Sequence, residues 1–259
     1  MIGGMMNSGI SLLNFDGTLQ KQSWLGEYEG EWIDFSDLRG CQGYCAEESL
    51  RKIRHRLRSR KHKHITLIGN GNYHYVTYVL LSEIKQPFSL ILFDHHTDLA
   101  GNSGLPLLSC GSWVGEALKT LPMLKHVVIV GARLPDGRQA SILPGRVTVI
   151  PEQEACSLSA AEVAQAIRAA LPVRTIYISV DKDVLDREHA VTNWDQGGMT
   201  LGQLLDVIRE LKRTHQVAGV DVCGELPLSP VDLLSGENAR HLRKNELANK
   251  AIVDALLTG

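Results

Sequence analysis

The sequence predicts an α/β fold, a three-layer α/β/α sandwich around a mostly parallel sheet. Three observations predict it. Short apolar, β-branched runs recur along the 259 residues, and they are too continuous for strands with one wet face, so they read as strands buried on both faces. Longer segments with helical spacing lie between them, and alternation repeated this often builds parallel βαβ units. Acids and histidines are concentrated just after the runs, where an open parallel sheet binds its ligands.

The elements follow in chain order. Ile10–Phe15 reads as the first strand and Ala46–Arg60 as a helix. Within it begins Arg51–Lys63, which has eight Lys/Arg and no acid; such a stripe could meet RNA or an anionic surface, but a solvated helix face is the commoner meaning. Strand Ile65–Ile68 runs into Gly69-Asn70-Gly71-Asn72-Tyr73-His74. That glycine-rich stretch lacks the Lys-Ser/Thr of a P-loop and reads as a tight strand-to-helix turn. Helix Tyr75–Ile84 leads to strand Ser89–Phe93, then to Asp94-His95-His96-Thr97-Asp98. After the loop-like Asn102–Pro106, Ser109-Cys110-Gly111-Ser112-Trp113 reads as a helix entry with a small thiol, opening helix Ser112–Leu118. Strands Val127–Val130 and Val147–Ile150 flank the loop-like Leu134–Arg146. Helix Ala160–Leu171, with Ser159 as N-cap, precedes strand Thr175–Val180 and the acidic Asp181-Lys182-Asp183-Val184-Leu185-Asp186. Trp194 and Asp195 follow in a loop, where they line a pocket or cover the core. Helix Leu201–Leu211, capped by Thr200, strand Val217–Val222 and helix Glu237–Leu257 close the chain. No repeat or linker divides it, so 1–259 is expected to be a single domain.

Composition narrows the function. Lys+Arg number 27 against 29 Asp+Glu, a net charge of −2, with a sequence pI near 6.5. A balance this even argues against nucleic acid as the main partner. No apolar run approaches the roughly 18 residues of a membrane span, and no signal-peptide pattern opens the chain. Five scattered cysteines, Cys41, Cys45, Cys110, Cys156 and Cys223, suit a reduced, cytoplasmic protein better than a disulfide framework.

Residues i, i+2 and i+4 of a strand point to one side. Asp94, His96 and Asp98 have that spacing, as do Asp181 and Asp183. An aspartate after a strand is often only a turn former, but two such clusters and His74 at one sheet edge are harder to explain that way. Four carboxylates packed together repel one another without a cation, and their charge is what two divalent ions would neutralise. Oxygen-rich ligation with two imidazoles favours a hard ion such as Mn²⁺.

From here the sequence resembles the arginase/agmatinase (ureohydrolase) family, whose motifs G-G-D-H, D-A-H-x-D, S-x-D-x-D-x-x-D-P and D-x-x-E each follow a strand. This chain reads Gly71-Asn72-Tyr73-His74, then Asp94-His95-His96-Thr97-Asp98, then Ser179-Val180-Asp181-Lys182-Asp183-Val184-Leu185-Asp186, and Gly197-Gly198-Met199-Thr200 matches a further element. The resemblance covers about Ile65 to Leu226. It implies two Mn²⁺ per chain, one on His74, Asp94, Asp98 and Asp181, the other on Asp94, His96, Asp181 and Asp183, with Asp94 and Asp181 bridging.

By that resemblance the expected function is a binuclear-manganese hydrolase cleaving a C–N bond of a small guanidino, amidino or amide-like substrate through a metal-bridging hydroxide. The alternative is a metal-binding protein of the same fold that is regulatory or structural and does not turn over. The candidate catalytic residues are Asp183 and Asp186 as proton acceptors, His95 as a further proton carrier and Glu225 as a substrate anchor. Strand alternation turns His95 away from the ions, and Asp186 also reads as a hydrogen-bond partner of the centre. A homo-oligomer is a further expectation of the resemblance. There are departures too. Tyr73 stands where the family has Asp, Gly101-Asn102-Ser103-Gly104-Leu105-Pro106 lacks the family's loop histidine, and Gly224 occupies the glutamate position with Glu225 one step later. On a strand, one step turns a side chain to the other face. Arginine is therefore not the expected substrate.

Overall fold

The computed structural model describes residues 9–100, 107–134 and 145–258. The loop at Gly101–Pro106, and most of that at Leu134–Arg146, lie outside the described residues. In chain order the elements are β1 (Ile10–Asn14), β2 (Gly30–Asp34), β3 (Tyr44–Cys45), α1 (Glu47–Arg58), β4 (Ile65–Leu67), α2 (Val76–Leu81), β5 (Phe88–Phe93), β6 (Leu108–Ser109), α3 (Trp113–Thr120), β7 (Leu124–Ala132), β8 (Val147–Pro151), α4 (Glu152–Ser157), α5 (Ala160–Ala170), β9 (Thr175–Asp181), α6 (Leu201–Thr214), β10 (Gln216–Cys223) and α7 (Gly236–Leu257).

Eight strands form one sheet in the order β2-β1-β4-β10-β9-β5-β7-β8, and every pairing described in it is parallel. Side chains alternate between two cores. Ile91 and Phe93 of β5 pack with Val163, Ile167, Leu204, Ile208 and Ile252 from α5, α6 and α7 on one face. Leu90 and Leu92 pack with Ile53, Leu57, Val76 and Trp113 from α1, α2 and α3 on the other. That is the expected three-layer sandwich, and it explains why the strands read as unbroken apolar runs.

Both expected caps form. Ser159 Oγ accepts from the Glu162 amide, and Glu162 reaches back in a capping box. Thr200 accepts from the Gln203 amide. The basic stripe of α1 is largely a solvated face with partners, Arg51 with Glu47, Lys52 with Glu48 and Arg56 with Asp37, whereas Arg60, just beyond the helix, is buried and pairs with Glu83. No helix among the described residues is long and apolar enough to cross a membrane.

Candidate metal centre

The four middle strands β4, β10, β9 and β5 deliver side chains to one point beyond their carboxyl ends. After β4, Asn70 caps a short 3-10 turn over Gly71–Tyr73 by accepting from the Asn72 amide at 2.8 Å. His74 ends that turn, its amide bonded to the Gly71 carbonyl. Gly71 is small because Asp181 Oδ2 lies 3.0 Å from where a Cβ would stand.

The convergence of Asp94, His96 and Asp98 has a different cause from strand alternation. β5 ends at Phe93, and the three residues lie on the irregular segment after it. The His96 amide donates to Asp94 Oδ1 at 2.6 Å. Asp98 takes the left-handed φ of 52° that aspartate tolerates better than most residues, and it accepts from the Trp113 indole N–H at 2.5 Å. Asp183 likewise lies not on β9 but in the 3-10 turn Lys182–Val184, whose N-cap is Asp181.

The six predicted ligand positions meet. His74 Nδ1 is 3.3 Å from Asp94 Oδ2, 3.4 Å from Asp98 Oδ2 and 3.5 Å from Asp181 Oδ2. His96 Nδ1 is 2.9 Å from Asp183 Oδ2 and 3.5 Å from Asp94 Oδ1. All four aspartates and His74 are buried, while His96 is partly exposed. Behind His74, Ser179 Oγ donates to Asp221 Oδ1 at 2.7 Å and lies 2.9 Å from His74 Nε2. With the serine proton committed to Asp221, Nε2 is the donor to Ser179, and Nδ1 is the nitrogen aimed at the carboxylates. Such a partner fixes the tautomer a metal-ligating imidazole needs.

The electrostatics fit a cation site. Burial, then Asp94 and Asp181, pushes Asp98 and Asp183 well above the usual carboxylate range, and burial followed by Asp94 raises Asp181. Burial acts to lower His74, but Asp94, Asp181 and Asp98 together hold it up at about 10. His96 is raised to about 11 by its hydrogen bonds to Asp183 and Asp94. Asp94 moves the other way: burial acts to raise it, yet the two imidazoles hold it at about 2. Carboxylates crowded this closely repel one another unless a positive charge lies among them, which is the role a divalent cation would fill. Among the described residues, three groupings have ligand atoms within 4.8 Å of one another: His74 with Asp94 and Asp98, Asp94 with His96 and Asp183, and His74 with Asp181 and Cys223.

The other candidates stand apart from that cluster. His95 donates its amide to Asp183 Oδ1 at 3.0 Å, but its ring stands edge-on to His96, centroids 5.5 Å apart. Its Nδ1 is buried without a partner, and burial lowers its pKa. Asp186 Oδ1 accepts from the Glu188 and His189 amides and pairs with the His189 ring at 2.7 Å, so it closes a turn. Glu225 is 2 % exposed and bonds to the buried Lys182 ammonium and, at 2.6 Å, to Asn249 of α7. Tyr73 stacks on Phe15 at 4.3 Å, inside the core. Gly224 has φ +90°, and a Cβ there would stand 2.5 Å from Asp181 Oδ1, so no side chain fits at the position of the family's glutamate.

Sequence reasoning passed over three residues. Trp113 holds Asp98. Cys223 reaches Asp181 Oδ2 at 3.1 Å; its spacing of two from Asp221 on a strand was the available signal. Asn72, on the turn before His74, accepts from the Trp194 indole N–H at 3.0 Å. Trp194, 39 % exposed, lies 5.8 Å from the His96 ring, so it stands at the mouth of the cluster.

A model of the arginase family matches residues 11–231. An uncharacterized protein of Thermotoga maritima is 29 % identical over 252 residues, 97 % of this chain and 91 % of that one. A formimidoylglutamase of Halalkalibacterium halodurans is 28 % identical over 204 residues, 73 % of this chain and 61 % of that one. Among solved structures, formimidoylglutamase from Bacillus subtilis superposes with a TM-score of 0.69 at 19 % identity, covering 100 % of this chain and 90 % of that one.

Proposed function

The chain belongs to the arginase family, and from that premise we propose that it is a two-metal hydrolase of non-peptide C–N bonds in small guanidino, amidino or amide-like molecules. The observation that carries this reading is the meeting of four buried carboxylates and two imidazoles at one point. His74, Asp94, Asp98 and Asp181 would hold one ion, and Asp94, His96, Asp181 and Asp183 the other, with Mn²⁺ the ion that the family resemblance implies. When bound, the ions supply Lewis acidity and activate water.

The chain's own residues do the rest. Asp183 is pinned at Oδ1 by the His95 amide and at Oδ2 by His96, so it is oriented to take a proton at the ligand cluster and return it to a leaving nitrogen. His95 acts on that step through its amide on Asp183, because its ring Nδ1 lies against Gly197, apart from the cluster. We leave Asp186 and Glu225 outside this path, because Asp186 Oδ1 closes a turn with His189 and Glu225 pairs with Lys182. Trp194 and Asn72 form a flat wall with an amide rim beside His96, suited to a planar group. Among the described residues, position 224 admits no side chain and Glu225 already neutralises Lys182, so neither sets an anion beneath a guanidinium. A smaller or neutral C–N substrate is therefore preferred over arginine, and the formimidoylglutamase relatives put formimidoyl compounds on the test panel.

Metal analysis coupled to a panel of guanidino, amidino, formimidoyl and amide compounds tests the reading. The expected result is close to two ions per chain after purification in Mn²⁺, ammonia or amine released from a panel member, and negligible urea from arginine. Folded protein that retains no metal would overturn it. The loop Gly101–Pro106 without the family's histidine and the closed position at Gly224 favour a metal-binding protein without turnover; two retained ions with no release from any compound would establish that instead.

A further inference from the structure

Cys223 is the last residue of β10 and is 1 % exposed. It belongs to the apolar core on the α1, α2 and α3 side of the sheet. Its sulfur nevertheless faces the cluster, 3.1 Å from Asp181 Oδ2, and groups with His74 and Asp181 at ligand spacing. The next residue makes this approach feasible. Gly224, with φ +90° and no Cβ to strike Asp181 Oδ1 or the Lys182 amide, lets the end of β10 close onto β9.

We propose that Cys223 Sγ is a ligand of the ion held on the His74 side, which gives the two metal subsites different chemistry. The proposal rests on the two-metal reading above. The His74 side then has imidazole, carboxylates and one sulfur, whereas the His96 side has imidazole and carboxylates alone. Sulfur donors favour Zn²⁺ and Co²⁺, and carboxylate oxygens suit Mn²⁺. Ligation forms a metal–sulfur bond and breaks the S–H bond, whose proton leaves to solvent. The centre is thus matched to one thiophilic and one hard ion.

The test uses the full chain stripped of metal and loaded with Co²⁺. A sulfur-to-cobalt charge-transfer band is expected in the near ultraviolet, lost in Cys223→Ser and kept in Cys110→Ser. In competition between Zn²⁺ and Mn²⁺, Cys223→Ser should lose Zn²⁺ preference by roughly tenfold to a hundredfold, the usual scale for a perturbed metal site. X-ray absorption of the zinc-loaded wild-type protein reads the same bond without a variant, as a sulfur neighbour at about 2.3 Å. Two bound cobalt ions with no charge-transfer band, or a zinc spectrum with only nitrogen and oxygen neighbours, would overturn the role of Cys223 and leave the two-metal reading standing. A folded chain that binds no cobalt would overturn both.

Discussion

Asp181 ties three parts of the centre together, because Oδ2 faces both His74 and the Cys223 thiol while Oδ1 accepts the Asp183 amide. Asp181→Ala should therefore lose both ions on dialysis, whereas His74→Ala should mainly weaken one. Equal retention, read by elemental analysis, would contradict the bridging assignment. Gly224→Ala places a Cβ against Asp181 at a left-handed φ, a strain of about 1–3 kcal/mol that should lower the denaturation midpoint and disturb metal retention together. Glu225→Ala leaves the Lys182 ammonium buried and unpaired, at a cost of about 3–5 kcal/mol, while the double change to Lys182→Met and Glu225→Leu should recover most of it. An unchanged midpoint in Glu225→Ala would show that the pair is not buried as described. The ligand positions were legible as motifs, but their geometric cause was not: a left-handed Asp98 and a 3-10 turn at Asp183 leave no periodic trace. The partner of Glu225 was not legible for a related reason. That partner, Lys182, is a charge inside the third motif, and only the fold shows that the two meet.

The long elements were legible because each buries a stripe or a face, and the short ones were missed because they do not. β2 alternates between exposed and half-buried positions at the sheet's edge, with two acids in five residues. β3 and β6 have two residues each, too few for any period. α4 buries only Ala155 of its six residues. Where a helix carries a cap signal, the sequence reading reaches further. Ser159→Ala removes one side of the α5 capping box and should cost about 1 kcal/mol. Because Val163 and Ile167 keep α5 in the core, the effect should appear as a lower midpoint with unaltered metal content. Loss of metal in that variant would mean that α5 and the centre are more tightly joined than their positions show.

Across the whole molecule, the ion-free centre makes stability depend on pH. Asp98, Asp181 and Asp183 are raised in the folded chain, and His74 and His96 are raised to about 10 and about 11. Asp221, lifted by burial to about 6, acts in the same sense. The folded state thus binds more protons than the unfolded one, and stability falls as pH climbs from the carboxylate range toward those values. Asp94, held at about 2, contributes stability that is lost only in acid, and His95, lowered by burial, opposes the trend only near and below its ordinary pKa. The metal-free protein should have a lower urea midpoint at about pH 9 than at about pH 7, with saturating Mn²⁺ removing most of the difference as ions displace the protons. A midpoint that rises over this interval would refute the sign. The strand order adds a consequence in time. β10 lies between β4 and β9, yet it is the last of the described strands in chain order. Before residue 216 is made, His74 belongs to one half-sheet, β2-β1-β4, and Asp94, Asp98, Asp181 and Asp183 to the other, β9-β5-β7-β8. Nascent chains shorter than this lack the strand that hydrogen-bonds the halves together and keep only the two-residue β3–β6 pair and the α2–α3 packing between them, so firm metal capture is expected only once β10 has been made.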